Sequence, residues 1–494
     1  MGIVQRQSVK NSIVNYFGVI VGGLSTLFIY PLNWDLYGNI QFSLTTAVLI
    51  STLFSLGSQS LVNKYFPYFK NNDLKGLLSV IFLYTFINLI LVTILLFLFK
   101  EPIFKLLELT DFNVKRVQEN AFIIFPIAIL LIIISIFKLQ SYNIQRIVFP
   151  DILSGLSVKF ITPIIILLYY YSAINYQGAG WILVLFHALI AIGLMIYLHV
   201  LGALDFSRKS SSSVSKSKHW EMIQYMMFSA LNLIGNTLAY KVDIIMIGLL
   251  LSATKVGYYS IFLFMTVAIE IPMKAIQRIT NPIIAESLEN NDLKKINSLY
   301  QATSTNLFIV GIILFSLIWM NMDVVFQIMT NGDDLVIYKT VFLFLALTQI
   351  FEMITSINIY IISYSKYYRM NTLFLIFLAV INITLNYILI GKLDIFGAAL
   401  STAISLLLFN FLKTIFIYHK YKMQPLQWNY ILLLIFLLIA IWLPIQFPEI
   451  FADFKSSIPI SIIFTVILIF TIYKMNYSKE INEILEKYIS ILRR

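Results

Sequence analysis

The chain contains no cysteine, which excludes disulfides and thiolate metal sites. Its four histidines, His187, His199, His219 and His419, are scattered, so a histidine metal centre is not expected. Charged residues make up only 12% of the chain. No G-x-x-x-x-G-K-[ST] run occurs, which argues against direct drive by ATP. No cofactor is expected. What fills the sequence instead is apolar: 59% of its 494 residues are hydrophobic, with mean hydropathy +0.86. A soluble protein of this composition could not cover its core with polar surface. Apolar runs of about 20 residues recur, each long enough to cross a ~30 Å hydrocarbon layer. The short alternating segments of a transmembrane barrel are missing. The expectation is an all-α, polytopic membrane protein.

Fourteen spans are read, near residues 11–31, 37–62, 76–99, 119–138, 151–171, 179–201, 221–249, 256–280, 299–320, 339–363, 371–390, 397–418, 429–447 and 457–473. The first apolar stretch is longer than a signal-peptide core and no A-x-A site follows it, so it counts as a span. The net charge of +11 would suggest nucleic acid in a soluble protein. Here it reads as topological, and no nucleic-acid partner is expected. With both termini on the cytoplasmic side, inner segments carry about three times as many Lys and Arg as outer ones, as the positive-inside rule requires. "KEPIFKLLELTDFNVKR", 100–116, has mixed charge and reads as a short helix on the outer surface. "DFSRKSSSSVSKSKHW", 205–220, is Ser-rich and basic, and reads as a flexible cytoplasmic linker. The tail, 476–494, carries an apolar stripe at helical spacing beside Lys487, Arg493 and Arg494, suited to the inner membrane surface.

An internal repeat organises the spans. "NNDL" occurs at 71–74 and again at 290–293, an offset of 219. Gly38 with Gly257, and Gly178–Ala179 with Gly397–Ala398, share that offset. Matches at one offset on either side of the Ser-rich linker point to duplication of a six-span unit. An even number of spans makes the copies parallel, related by an axis along the membrane normal. The expected architecture is an N-lobe, 1–204, the linker, 205–220, and a C-lobe, 221–423. Two further spans, 424–475, and the tail, 476–494, follow. Two pseudo-symmetric lobes would enclose a central cavity.

The nonapeptide "EIPMKAIQR", 270–278, puts Glu270, Lys274 and Arg278 four residues apart inside span eight. Counted from Gly257 they lie roughly 20, 26 and 32 Å along the helix. Arg278 and Lys274 can snorkel to the inner interface. Glu270 is deeper, and acids there usually face a bundle interior or water; Lys274, one turn on, is its natural partner. Subtracting 219 gives Ser51, Ser55 and Gln59 in span two, which are also polar. A lipid-facing stripe would not be polar in both copies, so both faces are assigned to the cavity. Lys159 has no acid near it in sequence, and faces an aqueous cavity or pairs across helices. Lys241 and Asp243 are about 200° apart round their helix and do not pair. Glu352, mid-span, is either a structural partner or a transport residue, and Asn382 with Asn386 can be explained by interhelical bonding. Lys413 reads as interfacial. The candidate cavity set is therefore Lys159, Lys241, Glu270, Lys274, Arg278, Ser51, Ser55 and Gln59. The candidate ion-coupling acids are Asp243, Glu270 and Glu352.

Two hairpins carry a family likeness. "YPLNWDLYGNIQFSL", 30–44, and "YKVDIIMIGLLLSATKVGYYSIF", 240–262, resemble matching hairpins of the polysaccharide (O-antigen, Wzx-type) flippases of the multidrug/oligosaccharidyl-lipid/polysaccharide exporter superfamily. The resemblance implies a non-enzymatic protein of the bacterial cytoplasmic (inner) membrane. It would move a polyprenyl-pyrophosphate-linked oligosaccharide from the inner to the outer leaflet by alternating access, the lipid tail remaining among membrane lipid. An H+ or Na+ gradient would supply energy, and a polysaccharide polymerase is a candidate partner. A lipid II flippase and a drug/cation antiporter of the same superfamily are the alternatives. The antiporter reading is lowered because spans one to six hold no acid except Glu119 and Asp151, each at an edge. A membrane polymerase or ligase is remote, since the longest outer loops, near 100–118 and 321–338, lack a convergent catalytic set. Topology is directly testable. Alkaline phosphatase fused within 205–220 or after residue 478 is expected to be inactive, and active when fused within 172–175. The reverse pattern would invert the orientation.

Overall fold

In the computed structural model the described residues are 3–71, 76–99, 113–206, 215–427 and 430–478, with 101, 480–483 and 486. Most of the 100–116 stretch, much of the Ser-rich linker, the first "NDLK" and most of the tail lie outside them. Among the described residues every regular element is helical. The principal helices are α1 (Ile3–Phe28), α2 (Trp34–Ser55), α3 (Ser60–Asn71), α4 (Leu77–Leu98), α5 (Val114–Glu119) and α6 (Ala121–Asn143). They continue with α7 (Val148–Tyr170), α8 (Tyr176–Val200), α9 (Lys216–Leu250), α10 (Ala253–Glu289) and α11 (Leu293–Met320). The last are α12 (Lys339–Ile354), α13 (Asn358–Tyr364), α14 (Tyr368–Tyr421), α15 (Tyr430–Gln446) and α16 (Phe454–Lys474).

Their starts follow capping chemistry, in which a short polar side chain takes up an orphan N–H of the first turn. Asn33 accepts from Leu36 N at 2.8 Å, Asn175 from Gly178 N at 2.8 Å, and Asp292 from Lys295 N at 3.1 Å. Among the described residues nine helices are long and apolar enough to cross a membrane, or up to eleven if each bent pair is one span. Each of the fourteen segments read from the sequence falls on helix. The difference arises at breaks and at length. Asp394, at φ 57°, divides α14 in two, and Phe17–Leu32 and Tyr430–Gln446 are apolar but shorter.

The chain forms two compact units, Met1–Tyr258 and Tyr259–Arg494. The division falls inside α10, well past the linker at which the sequence suggests it, because α9 packs into the first unit. A side-chain carbon at Gly248 of α9 would lie 2.2 Å from the Phe42 ring of α2. A carbon at Gly57, whose φ is +80°, would lie 2.4 Å from Met226 O of α9. In the first unit, α2 also packs on α6, and α6 on α8. In the second, α11 packs on α12 and α15, and α12 on α14.

The repeat has a structural signature inside the first unit. A carbon added at Gly38 would fall 1.7 Å from Ala253 O, and one at Gly257 would fall 2.8 Å from Trp34 O. Trp34 and Ala253, like Gly38 and Gly257, are 219 apart. The contact maps onto its own mate, as at a local two-fold between the start of α2 and the start of α10. Only glycine permits backbones this close. Gly38→Ala is expected to cost at least about 2 kcal/mol through overpacking, despite alanine's better helix propensity. Gly23→Ala, which meets nothing within 4 Å, should be neutral or mildly stabilising. Thermal unfolding of the two variants in detergent checks this contrast.

Candidate functional site

The first unit holds six of the ten candidate cavity and ion-coupling residues. Ser51 and Ser55 lie on α2, but that helix ends at Ser55. Leu56 and Gly57 have positive φ, and α3 leaves at a 45° bend. The four-residue spacing that aligned Gln59 with Ser51 and Ser55 therefore does not continue across the break. Ser51 donates to Val48 O at 2.7 Å. Ser55 is fully buried, and its carbonyl accepts from the Asn88 amide of α4 at 2.9 Å. Beside it Ser58 and Thr85 share a hydrogen bond of 2.7 Å.

Lys159 sits on α7 just after a π-helical turn, Ile152–Leu156. Such turns displace side chains from regular α register. A carbon at Gly18 of α1 would lie 3.2 Å from Lys159 Nζ, so α1 leaves room for the ammonium. Among the described residues Lys159 makes no ion pair. Asp151 is engaged elsewhere, 2.8 Å from Lys138 Nζ and accepting from Tyr142. On α9, Lys241 is exposed and Asp243 buried, on different faces as their spacing requires.

Arg116, missed in the sequence reading, closes the end of the unit where α2 begins. Its guanidinium donates to Gly248 O at the end of α9, while Asn113 N donates to Leu249 O at 2.7 Å. A cation at a helix C-terminus meets the unpaired carbonyls and the negative end of the dipole. Burial pulls its pKa down from the ordinary arginine value, with Asp35, Glu119 and Tyr176 acting the other way. Next to it the Asn120 carbonyl accepts from Tyr176 and, at 3.2 Å, from Ser43.

In the second unit, α10 carries the nonapeptide on an unbroken helix. Lys274 Nζ lies 2.8 Å from Glu270 Oε2, the side chains 57% and 25% exposed respectively. Arg278 is exposed and makes no ion pair among the described residues. Gln277, between them, turns inward. Its amide donates to Ser356 O at 3.0 Å.

That carbonyl belongs to a second break, where α12 stops at Ile354 and α13 departs at 47°. Asn358 N bonds Thr355 O, so Ile354 O loses its usual partner and accepts from Ser304 of α11 instead. Asn358 is fully buried; it accepts from Tyr300 of α11 and donates to Thr414 of α14 at 2.9 Å. Glu352 lies on the last turn of α12. Lys413 of α14 is 4% exposed, its Nζ 3.9 Å above the Phe409 ring. The interfacial position expected for Lys413 is thus corrected: its side chain is buried. The run "EMITSIN", polar within an apolar span, was the available signal for this break.

Removing Asn358 would orphan a buried phenol and a hydroxyl. Asn358→Ala is expected to cost about 2–3 kcal/mol, while Thr384→Ala, whose hydroxyl bonds only its own helix, should cost well under about 1 kcal/mol. Unfolding midpoints in one detergent decide the comparison.

No family model and no curated protein sequence matches this chain. Solved structures do. Lipid II flippase MurJ, in an inward closed conformation, is similar at TM-score 0.70 and 14% identity, over 95% of this chain and 99% of that one. An inward-facing multidrug resistance MATE family transporter of the MOP superfamily is similar at TM-score 0.60 and 12% identity, over 85% and 95%. A MATE structure in complex with MaL6 is similar at TM-score 0.55 and 12% identity, over 85% and 96%. The chain therefore shares the MurJ/MATE fold.

Proposed function

We propose that the chain is a flippase for polyprenyl-pyrophosphate-linked oligosaccharides, carrying them from the inner to the outer leaflet of the bacterial cytoplasmic membrane. Two six-helix lobes, joined through residues 205–220, would alternate access to the cargo, with a polysaccharide repeat unit as its glycan. The observation that carries this reading is α10. One membrane-length helix presents Lys274 and Arg278 outward beside the partly buried Glu270. Charges on a span are strongly unfavourable against acyl chains and belong to water or an anion. Lys159, without an acid partner among the described residues, adds a cation in the first unit. A pyrophosphate suits such groups, which bind it by charge-assisted hydrogen bonds. Ser51 and Gln59 are proposed to meet the sugar, and Lys241 the departing pyrophosphate. The fold likeness to a lipid II flippase, a protein that handles a lipid-linked cargo by its name, supports the same class.

Lipid II itself is the second reading, favoured by the coverage of the MurJ likeness. A drug/cation antiporter is less favoured. Asp151, an acid at the edge of the first six spans, is held by Lys138 and Tyr142.

The test is made in spheroplasts with Lys159→Ala, Lys274→Ala and Arg278→Ala separately. Loss of one charge-assisted contact is worth about 1.5–3 kcal/mol, so each should slow export about tenfold or more, with lipid-linked glycan accumulating on the inner leaflet. Normal export by all three, at normal expression, would refute the reading. Rescue of cells depleted of their lipid II flippase, without rescue of a capsule-export defect, would select the second reading.

A further inference from the structure

In the second unit α10 carries its cations on a stretch with two weakened ends. Pro272 and Pro282 lie inside the helix, and each lacks the N–H that would bond the carbonyl four residues before it. Ala268 O and Arg278 O therefore lose that rung of the ladder. Lys274, Gln277 and Arg278 all stand between the two prolines. At about 100° per residue, Lys274 lies about 60° round the axis from Gln277 and Arg278 about 100° in the same sense. Whatever holds Gln277 therefore sets the direction of both cations.

Gln277 is held at both ends of its amide. Its nitrogen donates to Ser356 O at 3.0 Å, and its oxygen accepts from the Tyr360 hydroxyl at 3.5 Å. Ser356 O needs this donor. In an unbroken helix Tyr360 N would serve it, but Tyr360 N bonds Ile357 O at 3.1 Å and Asn358 N bonds Thr355 O at 3.0 Å. Among the described residues Gln277 is the donor to Ser356 O. A peptide carbonyl left unpaired within a span is strongly unfavourable, so the bond that satisfies the break also holds α10 at one rotation. Among the described residues no other side chain between the prolines hydrogen-bonds a different element; Thr280 bonds Ile276 O of α10 itself at 3.1 Å. The offset of 219 pairs Gln277 with Ser58, Lys274 with Ser55 and Arg278 with Gln59. In that copy Ser58 lies beyond the end of α2 and bonds Thr85 of α4. The anchored glutamine belongs to the copy that carries the cations.

We propose that Gln277 is a positioning residue. By tethering α10 to the break between α12 and α13, it fixes the rotation of the stretch between the prolines and so aims Lys274 and Arg278. The proposal rests on the flippase reading for the use of those cations, and adds the part that sets their direction. Lys274 has a second restraint in Glu270, 2.8 Å away. Arg278 makes no ion pair among the described residues, so its direction depends on Gln277 the more.

Thiol labelling of the full-length chain measures that direction. Arg278→Cys and Ile279→Cys are made singly, Ile279 being exposed and about 200° round the helix from Gln277. Each is combined with Gln277 or with Gln277→Met, and treated in right-side-out and inverted vesicles with a charged, membrane-impermeant thiol reagent. Methionine is close to glutamine in length and helix preference but donates no hydrogen bond. With Gln277 in place, position 278 should react at least about tenfold faster than 279, and with Gln277→Met the ratio should fall to about threefold or less. A general loss of stability would move both rates together and leave the ratio. Gln277→Ala should lower the ratio in the same way, and keeps the test open if the methionine variant misfolds. A ratio unchanged in a folded variant would overturn the proposal. Export assays with Gln277→Met in the otherwise native chain separate the two levels. An unchanged ratio in a protein that needs Arg278 for export removes the positioning role alone. A lowered ratio with export at the parent rate leaves the positioning role and removes the use of these cations in transport.

Discussion

A peptide carbonyl that loses its helical partner inside hydrocarbon must find another, and an amide side chain from a neighbouring helix reaches a carbonyl at the bend of each bent helix pair. Asn88 donates to Ser55 O, which Ser58 N also bonds at 2.9 Å, in the first unit, and Gln277 donates to Ser356 O in the second. Irregular backbone is tolerated at membrane depth only where protein or enclosed water satisfies it. The breaks are therefore fixed bends, and each gathers polar side chains at a depth where apolar ones prevail. Ser58 and Thr85 collect at the first. Tyr300, Ser304, Asn358 and Thr414 collect at the second.

The same demand sorts the charges. Glu270 is matched by Lys274 one turn away. Arg116 spends its donors on the carbonyls at the end of α9. Lys159 and Arg278 are different, having no acid against them among the described residues. In a membrane-spanning chain, such cations are the natural place to seek an anionic cargo.

Much of this organisation was legible from sequence because it depends on spacing. Apolar runs mark the helices, and the offset of 219 reappears as the reciprocal approach of Gly38 to Ala253 and Gly257 to Trp34. The pairing of Glu270 with Lys274 follows from four-residue periodicity on an unbroken helix. That periodicity misled at Gln59, since Leu56 and Gly57 end the helix before it and no proline announces the break. Lys413 looked interfacial because its position along the span was countable while its direction was not. The compact units follow from α9 packing on α2.

The central claim is that the cations on α10 and α7 face water within the membrane. Because the chain has no cysteine, any introduced thiol is unique, so labelling is unambiguous. Lys159→Cys, Lys274→Cys and Arg278→Cys, with Leu189→Cys as an exposed apolar control, would be treated with a charged, membrane-impermeant thiol reagent in right-side-out and inverted vesicles. The account predicts that the first three react from at least one side, at least about tenfold faster than the control, since a charged reagent reaches only hydrated positions. Reaction of all four at the control's slow rate from both sides would contradict it.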